Sequence, residues 1–160
     1  MKTQRRAPSP KRARSSKKRR PVKVWLIRDP EVLRVVFQIF DDLTALRRHC
    51  AEEVESAREV EYVCRNASFE PDHSGLQRWS RLSKQITACW GVFDDLVQTT
   101  QLNAKQCRVV YRGLMSLSVA WEYMKGSVEG VELIDQTTRN VRAVLIAHAQ
   151  WHGQRGKVPL

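Results

Sequence analysis

The sequence predicts an all-α fold: a four-helix-type bundle with a long first helix, preceded by a disordered basic N-terminal tail. Apolar residues recur every three or four positions over four long segments, and no alternating polar–apolar run exceeds five or six positions. Four amphipathic helices joined by short loops favour a bundle. We therefore divide the chain into a tail at 1–23, an α-helical bundle domain at 24–152 and a flexible C-terminus at 153–160.

The positive charge of the chain is concentrated in the tail. Residues 1–23 hold eleven of the 28 Lys and Arg residues and no Asp or Glu, so the other 17 basic residues are balanced by all 17 acidic ones. A segment without an apolar run cannot bury enough surface to offset an ordering entropy of about 1–2 kcal/mol per residue. We expect a disordered tail, and a neutral folded part with no basic stripe along any helix.

Two functional patterns overlap in this tail. The run 17–23 has the form of a nuclear import signal, with Lys11-Arg12 as an upstream cluster. The same cations can neutralise phosphates and release counterions, which gives nonspecific, salt-sensitive binding to DNA or RNA. Import alone, import with nucleic-acid contact, and a merely solubilising tail all fit this composition. The residues assigned to import and nucleic-acid contact are Lys11, Arg12, Arg14, Lys17, Lys18, Arg19, Arg20 and Lys23.

Ser9 is a candidate phosphorylation site, because Ser9-Pro10-Lys11-Arg12 has the form of a proline-directed site with nearby basic residues. The segment also resembles the Ser-Pro-basic-basic turns of linker-histone tails, which implies contact with A·T-rich minor grooves. A phosphate would add about −1.5 to −2 charge beside the cations and weaken either contact.

The first helix is expected to start at Pro30, with Asp29 as its N-cap. Its apolar stripe continues to Cys64, which predicts a helix over about 30–66 or one broken near 48–51. We favour a helix that outruns its own bundle, so that its acidic second half pairs with another chain. The predicted interface residues are Trp25, Val54, Ala57 and Val60.

The remaining helices are placed by their capping patterns. Ser74 with Gln77 fits a capping box for a second helix that ends at 99–102. Asn103 caps a third helix that stops at Gly126, and a fourth runs from Ser127 or Val131 to His152. Before the first helix, residues 22–27 are expected to form a brief extended segment against the bundle or a docking peptide.

Four of the five tryptophans fall on or beside apolar helical stripes and are expected in the core. Trp25 differs because it lies beside the basic tail, outside the helices. It could stack on a nucleic-acid base, but we favour a role in fixing the start of the domain or filling a partner's groove.

Enzymatic patterns are absent from the sequence. There is no Gly-rich phosphate loop, and the pairs 41–42 and 94–95 of adjacent Asp residues should point about 100° apart on polar helix faces, unlike a catalytic dyad. His148 and His152 share a helix face, as metal ligands can, but no Cys-x-x-Cys pair accompanies them. We expect no enzymatic activity, no metal and no cofactor.

The expected localisation is the nucleus, because no secretory h-region and no apolar run of about 18 residues is present. The predicted function is that of a nuclear adaptor or assembly protein, a class that includes small viral nuclear and capsid-like proteins. Its expected partners are an import receptor, one or more proteins bound by the helical domain, DNA or RNA bound by the tail, and further copies of the chain in a homo-oligomer. The alternative is a pure protein-interaction regulator whose tail serves import only.

Overall fold

The computed structural model describes residues 23–70, 73–124 and 128–153. These ranges form a four-helix bundle with a small two-stranded ribbon, in which α1 and α3 each pack on both α2 and α4. The all-α prediction with a long first helix is confirmed. The elements are β1 (Val24–Leu26), α1 (Pro30–Asn66), α2 (Ser74–Thr99), β2 (Gln101–Asn103), α3 (Ala104–Met124) and α4 (Val128–Trp151).

Helix α1 is continuous over 37 residues, with no break near 48–51. At about 1.5 Å per residue it is roughly 55 Å long. Asp29 caps its start as predicted, because Oδ1 accepts a hydrogen bond of 2.9 Å from the backbone N–H of Glu31. The apolar residues of the stripe are buried only as far as Val54.

The two predicted capping boxes have different outcomes. At α3, Oδ1 of Asn103 accepts from the N–H of Lys105 (2.9 Å) and of Gln106 (3.1 Å), and Oε1 of Gln106 accepts from the N–H of Asn103 (3.0 Å). The box proposed at Ser74 is wrong, because Ser74 already lies inside α2. The N-cap is His73, whose φ of −69° and ψ of −8° are helical and whose side chain makes no capping bond.

A short antiparallel ribbon holds the start of the domain. Trp25 in β1 lies opposite Leu102 in β2, and the N–H of Ile27 donates to the carbonyl of Thr100 at 2.9 Å. All three apolar side chains of this region, at positions 25, 27 and 102, are buried with the core of the four helices. The extended segment expected before α1 is therefore present, but its partner strand was not expected.

Candidate protein-interaction surfaces

Most of the predicted tail site lies outside the described residues. This applies to the phosphorylation candidate Ser9 and to seven of the cations: Lys11, Arg12, Arg14, Lys17, Lys18, Arg19 and Arg20. Lys23 is described, and it is exposed immediately before β1. The start of β1 therefore marks the point where the tail joins the bundle.

Trp25 belongs to an aromatic cluster formed with the last turn of α4. Its side chain is only 8% exposed, and its ring lies 5.7 Å from that of His148 and 6.5 Å from that of Trp151, between centroids. His152 completes the cluster at 4.4 Å from the rings of both His148 and Trp151. Trp25 is thus used within the chain to hold β1 against α4, and it is not presented for base stacking or a partner's groove.

The contacts of α1 show where the bundle ends. Its neighbour α4 begins beside Glu52, because that residue and Glu129 line one cavity between the two helices. Its other neighbour, α2, begins beside Glu61, because Glu61 contacts His73 just before the first residue of α2. The residues of α1 beyond 61 therefore have no helix beside them within the described part of the chain. We call residues 52–66 the α1 extension.

The α1 extension exposes apolar side chains among acidic ones. Val60, Tyr62 and Val63 are 61%, 69% and 62% exposed, and Phe69 in the following loop is 70% exposed. Residues 52–66 hold five Glu and two Arg. Exposed apolar residues grouped at one place are typical of a protein-interaction site.

The four residues predicted as an interface occupy different environments. Val54 packs inward and is 8% exposed, as Trp25 is, while Ala57 is half-buried. Only Val60 of the four is fully accessible. Helical spacing accounts for the difference, because residues 54 and 57 continue the inward stripe of α1 whereas residue 60 lies at its edge.

A basic face on α3, which the sequence analysis did not expect, is present in the structure. Lys105, Arg108 and Arg112 are exposed at spacings of three and four, so they share the outward face of the helix. Arg78 and Arg81 of α2 lie across a groove from them. Among the described residues, none of these five cations forms an ion pair. Counting charges by segment concealed this face, which the helical spacing of the three α3 residues could have shown.

The groove between α2 and α3 has a volume of about 450 Å³. Its wall includes the apolar side chains Met115, Val119 and Tyr123, which are 54%, 48% and 40% exposed. Ser116 donates a hydrogen bond to Gln85 and links the two helices within it. The groove therefore combines arginines with accessible apolar surface, a combination enriched in the centres of protein interfaces.

Two features of the buried titratable groups bear on chemistry. Burial raises the pKa of Cys50 to about 11 and those of Cys89 and Cys107 to about 12, so these thiols are poor nucleophiles at neutral pH. Asp42 is 6% exposed, so the expectation that it covers a polar face is wrong; burial raises its pKa, which the hydrogen bond from Gln38 partly offsets. Asp41 is exposed, and the pair is not convergent.

The described residues contain no group of three or more His, Cys, Asp or Glu side chains placed to hold a metal ion. Over the same ranges, no helix has both the length and the apolar content to cross a membrane. Comparison with protein-family models, curated proteins and solved structures found no match to this chain.

Proposed function

We propose that this protein is a non-enzymatic nuclear adaptor or assembly protein of viral nuclear or capsid-like type. Its helical bundle makes the protein–protein contacts, and its basic tail provides nuclear import and nonspecific nucleic-acid binding. The observation that carries the proposal is the separation of charge along the chain, with eleven cations and no carboxylate in residues 1–23. A cationic segment of this kind binds phosphates without sequence preference, and its affinity falls with salt.

The bundle supports the adaptor half of the proposal through its surface. Apolar side chains are exposed both on the α1 extension and in the α2–α3 groove. A bundle of this size has no need of such residues for its own core, which is formed elsewhere by the buried aliphatic residues of all four helices. Protein contacts would remove this apolar surface from water.

The test of the tail uses the full chain with its eleven cations in 1–23 replaced by Gln. Binding to a DNA duplex and to a single-stranded RNA is measured from 50 to 500 mM salt. We expect the substituted chain to lose most of its affinity, because each lost phosphate contact lowers the salt slope by about 0.9 on a duplex. Binding that survives these substitutions but is lost with Arg108→Glu and Arg112→Glu would place nucleic acid on α3 and refute the role of the tail.

The alternative is a protein-interaction regulator whose tail serves import only. The run 17–23, with its four consecutive basic residues before Pro21, supports this second candidate. Replacing residues 1–22 by an unrelated import signal separates the two functions. Restored nuclear entry together with full activity would favour the alternative, and restored entry without activity would favour the nucleic-acid role.

A further inference from the structure

Two outward helix faces of this chain carry the same pattern with opposite charge. Each has three charged residues followed by an apolar one, at spacings of three, four and three. On α1 the residues are Glu52, Glu55, Glu59 and Tyr62; on α3 they are Lys105, Arg108, Arg112 and Met115. All eight side chains are exposed, and every residue of the second set lies 53 positions after its counterpart in the first.

From this complementarity we infer that the α1 extension of one copy docks along α3 of a second copy, beside the α2–α3 groove. This inference rests on the assembly role in the proposed function and names a second copy of the chain as the partner. The contact cannot form within one molecule. Helices α1 and α3 both pack on α2 and α4, so they lie on opposite sides of the bundle and their outward faces point away from each other.

The register requires the two helices to run in the same direction. Glu52 then lies level with Lys105, and the pattern continues until Tyr62 lies level with Met115. In the opposite direction the three charge pairs could still form, but Tyr62 would fall beyond the first residue of α3. Only the parallel arrangement pairs both the charged and the apolar parts of the two faces.

The apolar part distinguishes this occupant from a nucleic acid. Tyr62 and Val63 offer apolar surface to Met115 and Val119, all of which are at least 48% exposed. A phosphate backbone would match the arginines but would leave these side chains in water. On the acidic side, Glu52 and Glu55 contact only the exposed Arg48 and Arg58 of their own helix, at 3.9 and 2.6 Å. Such exposed pairs are weak and can exchange partners.

The contact joins two different surfaces, so each copy retains one acidic and one basic face for further copies. Such an interface produces rings where the rotation closes and open rows where it does not. Because its polar part consists of exposed ion pairs, the assembly should weaken as salt rises.

The experiment is sedimentation velocity on the full chain after nuclease treatment, over a hundredfold range of protein concentration at 50 and 500 mM salt. We expect species larger than the 18.5 kDa monomer at low salt, and dissociation at high salt. Glu59→Arg or Arg112→Glu alone should raise the concentration needed for assembly on the order of tenfold. The double variant, and an equimolar mixture of the two single variants, should recover part of the association. Glu132→Arg and Arg142→Glu on the exposed face of α4 are the matched controls, and circular dichroism shows that each variant folds.

A wild-type chain that stays monomeric throughout would overturn the inference, as would single variants that assemble like their controls or a double variant that recovers nothing. If Arg112→Glu weakens DNA binding while leaving the mass distribution unchanged, the groove takes nucleic acid and the inference is wrong. Because no nucleic acid is present in the sedimentation samples, failure here leaves the tail's role untouched. Loss of tail-dependent binding, conversely, would not alter the masses.

Discussion

The ring of Trp25 meets the ring of His148 edge-on, at 5.7 Å between centroids and an angle of 64° between planes. This contact joins the first strand of the described chain to the last turn of its final helix. It also removes His148 from water, so that the residue is 8% exposed. The stability of the bundle is therefore coupled to the ionisation of one imidazole.

The first prediction concerns this coupling. Burial, together with the neighbouring His152, lowers the pKa of His148 to about 4, from 6.5 in an exposed chain. The unfolded protein therefore takes up a proton between pH 6.5 and 4 that the native protein refuses. The stabilising effect is complete above pH 6.5 and is lost over this interval, by up to on the order of 3 kcal/mol. Urea unfolding at several pH values measures it. His148→Gln should flatten the profile, whereas His73→Gln should preserve it; equal profiles in wild type and His148→Gln would contradict the prediction.

The second prediction concerns Trp25 itself. Trp25→Ala should lower the free energy of unfolding by about 3–5 kcal/mol, because it removes a buried indole from between β1 and α4. Trp151→Ala is the control, since Trp151 is 47% exposed in the same cluster and should cost clearly less. Chemical denaturation followed by circular dichroism compares the two, and comparable losses would show that Trp25 does not anchor the ribbon.

A third prediction uses two glycines of neighbouring helices. A Cβ added at Gly113 of α3 would lie 2.5 Å from Sγ and 2.6 Å from Cβ of Cys89 in α2, whereas one added at Gly91 would meet nothing within 4 Å. Gly113→Ala should therefore destabilise by about 1–3 kcal/mol by forcing the helices apart. Gly91→Ala should stabilise by about 0.4–1 kcal/mol through helix propensity and chain entropy. Thermal unfolding of the two variants tests the packing, which would be refuted by two effects of the same sign.

The fourth prediction concerns the buried carboxyl of Asp42. Its Oδ1 accepts from Nε2 of Gln38 at 2.8 Å, but Oδ2 has no hydrogen-bond partner among the described residues. Asp42→Asn keeps the first bond and removes the buried charge, so it should stabilise the protein at pH 7 by about 1 kcal/mol.

The gain should depend on pH. Since burial raises the pKa of Asp42, the native wild type holds this proton more tightly than the unfolded chain, and the advantage of Asn should shrink as the pH falls. Asp41→Asn on the exposed side should change stability by no more than about 0.5 kcal/mol. Urea titrations at pH 7 and pH 4 supply the comparison, and a destabilised Asp42→Asn at pH 7 would count against this account.

Helical periodicity accounts for the parts of the fold that the sequence predicted. The apolar stripe of α1 and the side chains of Asp29 and Asn103 act locally, so their effects can be recognised without knowing the tertiary structure. Strand β2 could not be recognised in this way. It has three residues, of which only Leu102 is buried, and it exists because β1 supplies its hydrogen-bond partners.

The interaction surfaces were predicted less completely. The protruding second half of α1 was expected, but the side toward which each residue points depends on where α2 and α4 begin. Trp25 was correctly favoured as a residue that fixes the domain start, although its partners in α4 lie more than a hundred positions away in sequence. Charge on α3 was missed because totals per segment do not show which cations share a face.

The direction of α1 relative to α3 gives the proposed row of copies two unlike sides. Lys23 and β1 lie beside the end of α4 and the start of α3, at the end of the molecule opposite the α1 extension. Parallel docking would keep every copy in the same orientation. All attachment points of the cationic segment would then lie along one edge, so a bound nucleic acid would follow that edge and leave the other free for a different partner.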